Sequence, residues 1–234
     1  LLLEAGADRE ARDGEGRTAA HLAATAGRAE CLRALLEHGA DANTRSAAGE
    51  SALGTAIAHG HADEVTLLLA HGADPAARGA SRQPFLCDAV ARERGDLAAT
   101  LLGSGVEVEA RCADGLTPLA RAASAGNAAL VRALLAAGAA ADAPTQAGNT
   151  PLMLAAAAGR ADAVAILLDA GADPNARGHR RATPLMFAAA GGHRDVVVLL
   201  LARGGRASPR NEGGQTAAAL AAQARHDDVA ALFE

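Results

Sequence analysis

The sequence predicts an all-α solenoid of stacked helix-turn-helix units, and three observations carry that prediction. The chain of 234 residues repeats itself every 33 residues without insertion, so that one column reads Thr18, Ser51, Pro84, Thr117, Thr150, Thr183 and Thr216. Glycine columns punctuate every period: Gly16, Gly49, Gly115, Gly148 and Gly214, with Arg82 and Arg181 as exceptions; Gly27, Gly60, Gly126, Gly159 and Gly192; and Gly6, Gly39, Gly72, Gly105, Gly138, Gly171 and Gly204. Three breaks per period leave room for two short elements and a turn. Half of the residues are apolar, yet the only aromatic ones are Phe85, Phe187 and Phe233, so the core must be built from Ala, Leu and Val with helices closely spaced.

Residues 150 to 171 show why the elements are helices. Thr150 suits an N-cap, Pro151 the first helical position, and the run from Leu152 to Ala158 consists of strong helix formers, ended by Gly159. A second helix is expected from Asp162 to Ala170, with Val164, Leu167 and Leu168 on one face and Gly171 as the stop. Helices of fewer than about 12 residues are marginal alone in water, so each needs a neighbour over its apolar face. The column Leu2, Leu35, Leu68, Leu101, Leu134, Leu167, Leu200 and Phe233 is the seam that stacking would bury.

The period divides the chain into a single array. Residues 1–12 are the tail of a truncated repeat, with Leu1, Leu2 and Leu3 deprived of upstream contacts; repeats follow at 13–45, 46–78, 79–111, 112–144, 145–177 and 178–210; residues 211–234, more polar, form a capping repeat. Because the chain opens on Leu1 without a charged leader, its start is read as a cut and not as a signal peptide. The unit 79–111 is irregular: Arg82 and Glu93 replace turn glycines, and Gly95 is expected to close a longer first helix. In that unit Asp88, and in the next Arg121, take the column of Leu22, Leu154 and Phe187, which predicts an Asp88–Arg121 ion pair between neighbouring rows.

With Thr150-Pro151-Leu152, Ala155-Ala156, Thr183-Pro184-Leu185, Ala188-Ala189, Thr18-Ala19-Ala20-His21-Leu22 and Gly171-Ala172-Asp173-Pro174-Asn175-Ala176 in phase, the chain resembles the ankyrin repeats. The resemblance covers essentially the whole chain. It implies helix pairs with β-turn or hairpin-like fingers projecting from one side, and a scaffold or adaptor that binds a protein partner through finger tips and the concave face of the first helices. Carried onto this sequence, the contact positions are Glu15, Arg17, Thr25, Glu50, His59, Gln83, Arg92, Asp114, Ser124, Gln146, Asn149, His179 and Arg180. None is aromatic, so modest affinity resting on Arg17, Arg92 and Arg180 is expected. The alternative is an accessory recognition array of a larger enzyme or secreted effector whose catalytic domain lies outside these residues.

Chemistry is hard to find. All 22 basic residues are Arg, which removes a Walker, Schiff-base or kinase lysine. The eight histidines form no zinc-ligand spacing; His59, His61 and His71 are read as turn and helix-end residues, with no metal and no cofactor expected. Gly14-x-Gly16-x-x-Ala19 imitates a dinucleotide fingerprint but follows no strand. Cys87, in the helix position of His21, is read as a small buried apolar residue. Scattered Cys31, Cys87 and Cys112 point to a reducing, cytoplasmic setting, with a secreted or nuclear role left open. No apolar run is long enough to span a membrane. No catalytic activity is expected, and the chain is expected to be a monomer.

Charge is uneven. Residues 1–74 carry 12 acids and 6 Arg, whereas 175–234 carry 5 acids and 8 Arg. Between 175 and 210, Arg177, Arg180, Arg181, Arg194, Arg203, Arg206 and Arg210 face the single acid Asp195. The cluster reads either as a solvated surface or as a docking patch for an acidic protein segment. The formal charge of −5 and the lack of aromatic residues beside the arginines argue against nucleic acid.

Overall fold

A computed structural model describes residues 4–79 and 82–233. Among them lie fourteen short α-helices and no strand; the only β-pairings are isolated bridges, Arg45 with Ser51 and Arg78 with Pro84. The chain divides into two compact units, Leu1–Glu107 and Val108–Glu234. The first holds α1 (Ala19–Thr25), α2 (Ala29–Glu37), α3 (Ala52–His59), α4 (Ala62–Ala70), α5 (Phe85–Ala91) and α6 (Gly95–Gly103). The second holds α7 (Pro118–Ala125), α8 (Ala128–Ala136), α9 (Pro151–Ala157), α10 (Ala161–Asp169), α11 (Pro184–Ala190), α12 (Arg194–Ala202), α13 (Ala217–Gln223) and α14 (Asp227–Ala230).

Each first helix starts where the capping column places it. The hydroxyls of Ser51, Thr117, Thr150, Thr183 and Thr216 accept the backbone N–H three residues on, and Pro118, Pro151 and Pro184 occupy first helical positions, where no N–H is needed. In the first repeat, His21 extends this cap. The Thr18 N–H donates to His21 Nδ1 at 3.2 Å, which leaves Nε2 protonated to donate to the Glu50 carbonyl at 3.0 Å. One imidazole thereby ties a helix start to the next repeat.

The first helices end at a left-handed residue whether or not it is glycine. Gly60 and Gly126 take φ of 77° and 82°, and Glu93 and Arg225 take 56° and 62° at equivalent positions. The expected longer first helix in the irregular unit does not form: α5 stops at Ala91, and Gly95 opens α6. Packing of the second helix fixes where the turn must fall, and that register outweighs the local preference of Glu93. At Gly159 the need for glycine is double. Its φ is 68°, and a Cβ there would stand 2.6 Å from His193 Nδ1.

Stacking covers what each helix pair leaves exposed. Within the first unit α1 packs on α3 and α3 on α5, while α2, α4 and α6 form the parallel row; in the second, α7, α9, α11 and α13 form one row and α8, α10, α12 and α14 the other. The seam is buried as expected: Leu68, Leu101, Leu134, Leu167 and Leu200 have no exposure, Leu35 is buried, and Phe233 half-buried. Leu1, Leu2 and Leu3 lie outside the described residues. At about 25 cal/mol per Å², each buried Leu stabilises the stack by roughly 1.5–3 kcal/mol.

Side chains also stitch repeat to repeat. His193 Nε2 bonds the Ala157 carbonyl at 2.9 Å, Arg160 Nε the Ser124 carbonyl at 3.3 Å, and Arg94 the Gly60 carbonyl at 2.8 Å, all from the start of a second helix back to the end of the first helix of the preceding repeat. Arg12 donates to the carbonyls of Gly16 at 2.9 Å and Arg45 at 2.7 Å; Arg45 does the same to Gly49 and Arg78. Arg12 and Arg45 thus cap carbonyls in the fingers.

Candidate protein-binding surface

Fingers are tight turns held at both sides. The Ala47 N–H donates to the Glu15 carbonyl, Gln146 N–H to the Gly115 carbonyl and Glu212 N–H to the Arg180 carbonyl, each at 3.0 Å, so successive tips stand side by side. In the first unit the fingers and first helices enclose an open groove of about 680 Å³, lined by Glu15, Arg17, His21, Thr25, Ser46, Ala47, Ala48, Glu50, Thr55 and His59. Its threonine hydroxyls are already donors to the helix backbone, Thr25 to the His21 carbonyl at 2.8 Å and Thr55 to the Ser51 carbonyl at 3.0 Å. His59 bonds the Thr55 carbonyl through Nδ1 at 2.9 Å and stacks on His61, ring centroids 6.0 Å apart.

Arg17 is held by carboxylates. It reaches Asp13 through Nε at 2.9 Å and Glu15 through Nη1 at 3.0 Å. The Arg17 backbone N–H and then its guanidinium hold the Asp13 carboxyl below its ordinary value, and Asp13 in turn raises Arg17. In the second unit Arg121 pairs with Asp114, and in the first Gln83 donates to Asp88. The Asp88–Arg121 pair, whose residues belong to different units, stays an expectation. Among the described residues no group of three or more His, Cys, Asp or Glu is placed to hold a metal ion, and no helix is long and apolar enough to cross a membrane.

A family model described as ankyrin repeats, in three copies, matches residues 1–78, 86–178 and 176–234. The chain belongs to the ankyrin-repeat family. The human ASB11 ankyrin repeat domain shares 29% identity over 93% of this chain and 98% of that one, with a TM-score of 0.77. The ankyrin repeat domain of Bcl-3, a member of the IkappaB protein family, shares 27% over 92% and 98%, with a TM-score of 0.81. No curated protein sequence matches. Ankyrin-repeat domains are in general modules that bind other proteins.

Against that ankyrin framework, the groove brings together five of the positions named from the sequence: Glu15, Arg17, Thr25, Glu50 and His59. Arg92 caps α5 and is exposed, and Gln83 is engaged with Asp88. In the second unit Asn149 Oδ1 accepts the His179 N–H at 3.0 Å, the Ser124 carbonyl accepts from Arg160, and His179 and Arg180 are exposed in a 3-10 turn, His179–Arg181. Sequence reasoning missed His21, Ser46, Ala47, Ala48 and Thr55 as groove residues. The period itself held the signal, since Ala48 is one repeat after Glu15 and Thr55 one repeat after Leu22. Two of the clustered arginines are engaged: Arg203 pairs with Asp169 at 2.6 Å, one repeat back, and Arg210 donates to the Gly214 carbonyl at 2.6 Å.

Proposed function

We propose that this ankyrin-repeat chain is a scaffold that captures a protein partner in the open grooves between finger tips and first helices, and that it performs no reaction of its own. The observation that carries the reading is the groove of about 680 Å³ in the first unit, where charged and polar side chains from two fingers and two helices converge. Its floor is rigid because hydroxyl, imidazole and turn carbonyl groups are paired internally. A partner therefore meets fixed carboxylate oxygens and carbonyls, and little side-chain entropy is lost on docking. Arg92 and Arg180, exposed where Arg17 is paired, are the cationic contacts.

Selection of a displayed peptide library against the full chain tests this. Binders that lose affinity when Arg92 and Arg180 are both changed to Ala support the reading. Binders indifferent to both changes, or no binder at all, contradict it.

A further inference from the structure

One finger differs in kind from the others. In the turn 178–182 the Gly178 N–H donates to the Ala182 carbonyl at 3.0 Å, and the Ala182 N–H closes on His179 at 3.1 Å. The two residues between, Arg180 and Arg181, both take left-handed conformations, with φ of 52° and 57°. Two consecutive left-handed residues make the type I′ geometry that Asn-Gly ordinarily fills. Arg82, Glu93 and Arg225 are left-handed too, but among the described residues only here do two consecutive non-glycine residues share the strain. Strained non-glycine backbone that persists is a pointer to function when a second feature agrees.

That second feature is charge. Arg177, Arg180 and Arg181 are exposed, and among the described residues none stands within ion-pair distance of a carboxylate. Glu212, the nearest acid along the finger row, meets Arg180 through its backbone N–H alone. The tip is also preorganised, pinned by Asn149 on one side and Glu212 on the other.

The third feature is apolar. In the first unit Thr55 lines the groove beside Glu15. Three, four and five periods after Thr55 come Leu154, Phe187 and Leu220, half-exposed on the packed helices α9, α11 and α13. Five periods after Glu15 comes Arg180. Glu15 and Thr55 of the first unit's groove thus have Arg180 and the apolar Leu154, Phe187 and Leu220 among their counterparts in the second.

We infer that the Arg177–Arg181 finger and the Leu154, Phe187 and Leu220 face form a docking surface for an acidic peptide segment that carries apolar side chains. The inference rests on the partner-binding reading above and adds the partner's chemistry. Carboxylates of the segment meet the guanidinium groups of Arg180 and Arg181, and its apolar side chains cover Phe187. Occupation by a second copy of this chain or by RNA is the competing outcome.

The test is fluorescence anisotropy with a short labelled peptide of Glu and Asp bearing Leu at every fourth position, titrated with the full chain at low salt. The double change Arg180→Gly with Arg181→Gly removes both charges and suits the left-handed backbone, so melting should be unchanged or raised while affinity falls about tenfold or more. Phe187→Ala should weaken binding about tenfold, and Arg132→Ala, which removes one positive charge on α8, should leave it unchanged. The same peptide with Gln and Asn for its acids, which needs no variant, should bind at least about tenfold more weakly. Equal affinity of the two peptides, an unaffected Gly variant, single-stranded RNA that binds more tightly than the acidic peptide, or self-association through Phe187 would overturn the inference. If the acidic peptide fails while library binders of other composition still depend on Arg92 and Arg180, only the chemistry falls and the partner-binding reading stands.

Discussion

Replacing Glu93 by Gly should make this protein more stable, although Glu93 touches nothing that glycine could improve. Glu93 is exposed and sits at φ 56°, where the period elsewhere places glycine. A Cβ in that region costs about 1–2 kcal/mol. Glycine returns roughly 0.5–1 kcal/mol of that as added freedom of the unfolded chain, leaving a net gain of about 0.5–1 kcal/mol. For a chain of this size the melting temperature should rise by about 1–4 °C. Glu93→Ala is the control, because it removes the carboxylate yet keeps the Cβ, and should stay within about 0.5 kcal/mol of the parent. At the equivalent Gly126, with φ 82° and a built Cβ 2.7 Å from Arg160 Cδ, Ala should instead destabilise. Thermal melts followed by far-ultraviolet circular dichroism read all three. A Glu93→Gly melt at or below that of the parent, or an Ala variant that gains as much as Gly, would refute the backbone argument.

Two further outcomes follow from the packing and the ion pairs. Leu134→Ala, at a seam position with no exposure, should cost about 2–5 kcal/mol in urea unfolding, whereas Leu22→Ala, 43% exposed on α1, should cost less than about 1 kcal/mol. The side-chain hydrogen bond from Arg94 holds the Asp96 carboxyl down to about 2 in the folded chain, below its ordinary 3.8. A depressed carboxyl stabilises above its unfolded value and loses that contribution as pH falls through the folded one. Because the Asp96 side chain is 50% exposed, solvent screening keeps the amount below about 1 kcal/mol. Urea midpoints compared between about pH 5 and pH 2 should fall less for Asp96→Asn than for the parent, and an equal fall would remove Asp96 from the acid response.

Most of the fold was legible because the period and the helix signals agree. Thr150, Pro151 and Gly159 mark the same boundaries that packing imposes, and the second helix predicted at 162–170 forms at Ala161–Asp169. Legibility failed where they disagree. Gly95 is a local stop signal, but the register of α6 against α4 requires the turn at Glu93, so the glycine opens a helix instead. A single unit read alone favours the glycine; the column read across seven units favours position 93.

The site was legible as positions and less so as chemistry. Translation along the period collected Glu15, Arg17, Thr25, Glu50 and His59 into one groove, since equivalent residues face the same side. That Arg17 is occupied by Asp13 and Glu15 depends on the tight turn that folds residues 13–17 back on themselves, a three-dimensional fact with no periodic signature. The partner of Arg203 was hidden for a related reason. That partner, Asp169, lies 34 residues away, one repeat back, and a charge count along the sequence separates the two. Arg12, Arg45 and Arg78 also recur at the period, a column that sequence reasoning left unused, and its role on finger carbonyls emerges only when adjacent fingers are set side by side.

Every element described depends on neighbours covering helices of at most nine residues. Circular dichroism of one excised repeat, a synthetic peptide spanning residues 145–177, measures that dependence with nothing else changed. A coil spectrum in water, beside a helical spectrum for the whole chain, is the predicted result. A peptide as helical per residue as the parent would contradict the account, because α9 and α10 would then stand without the repeats on either side.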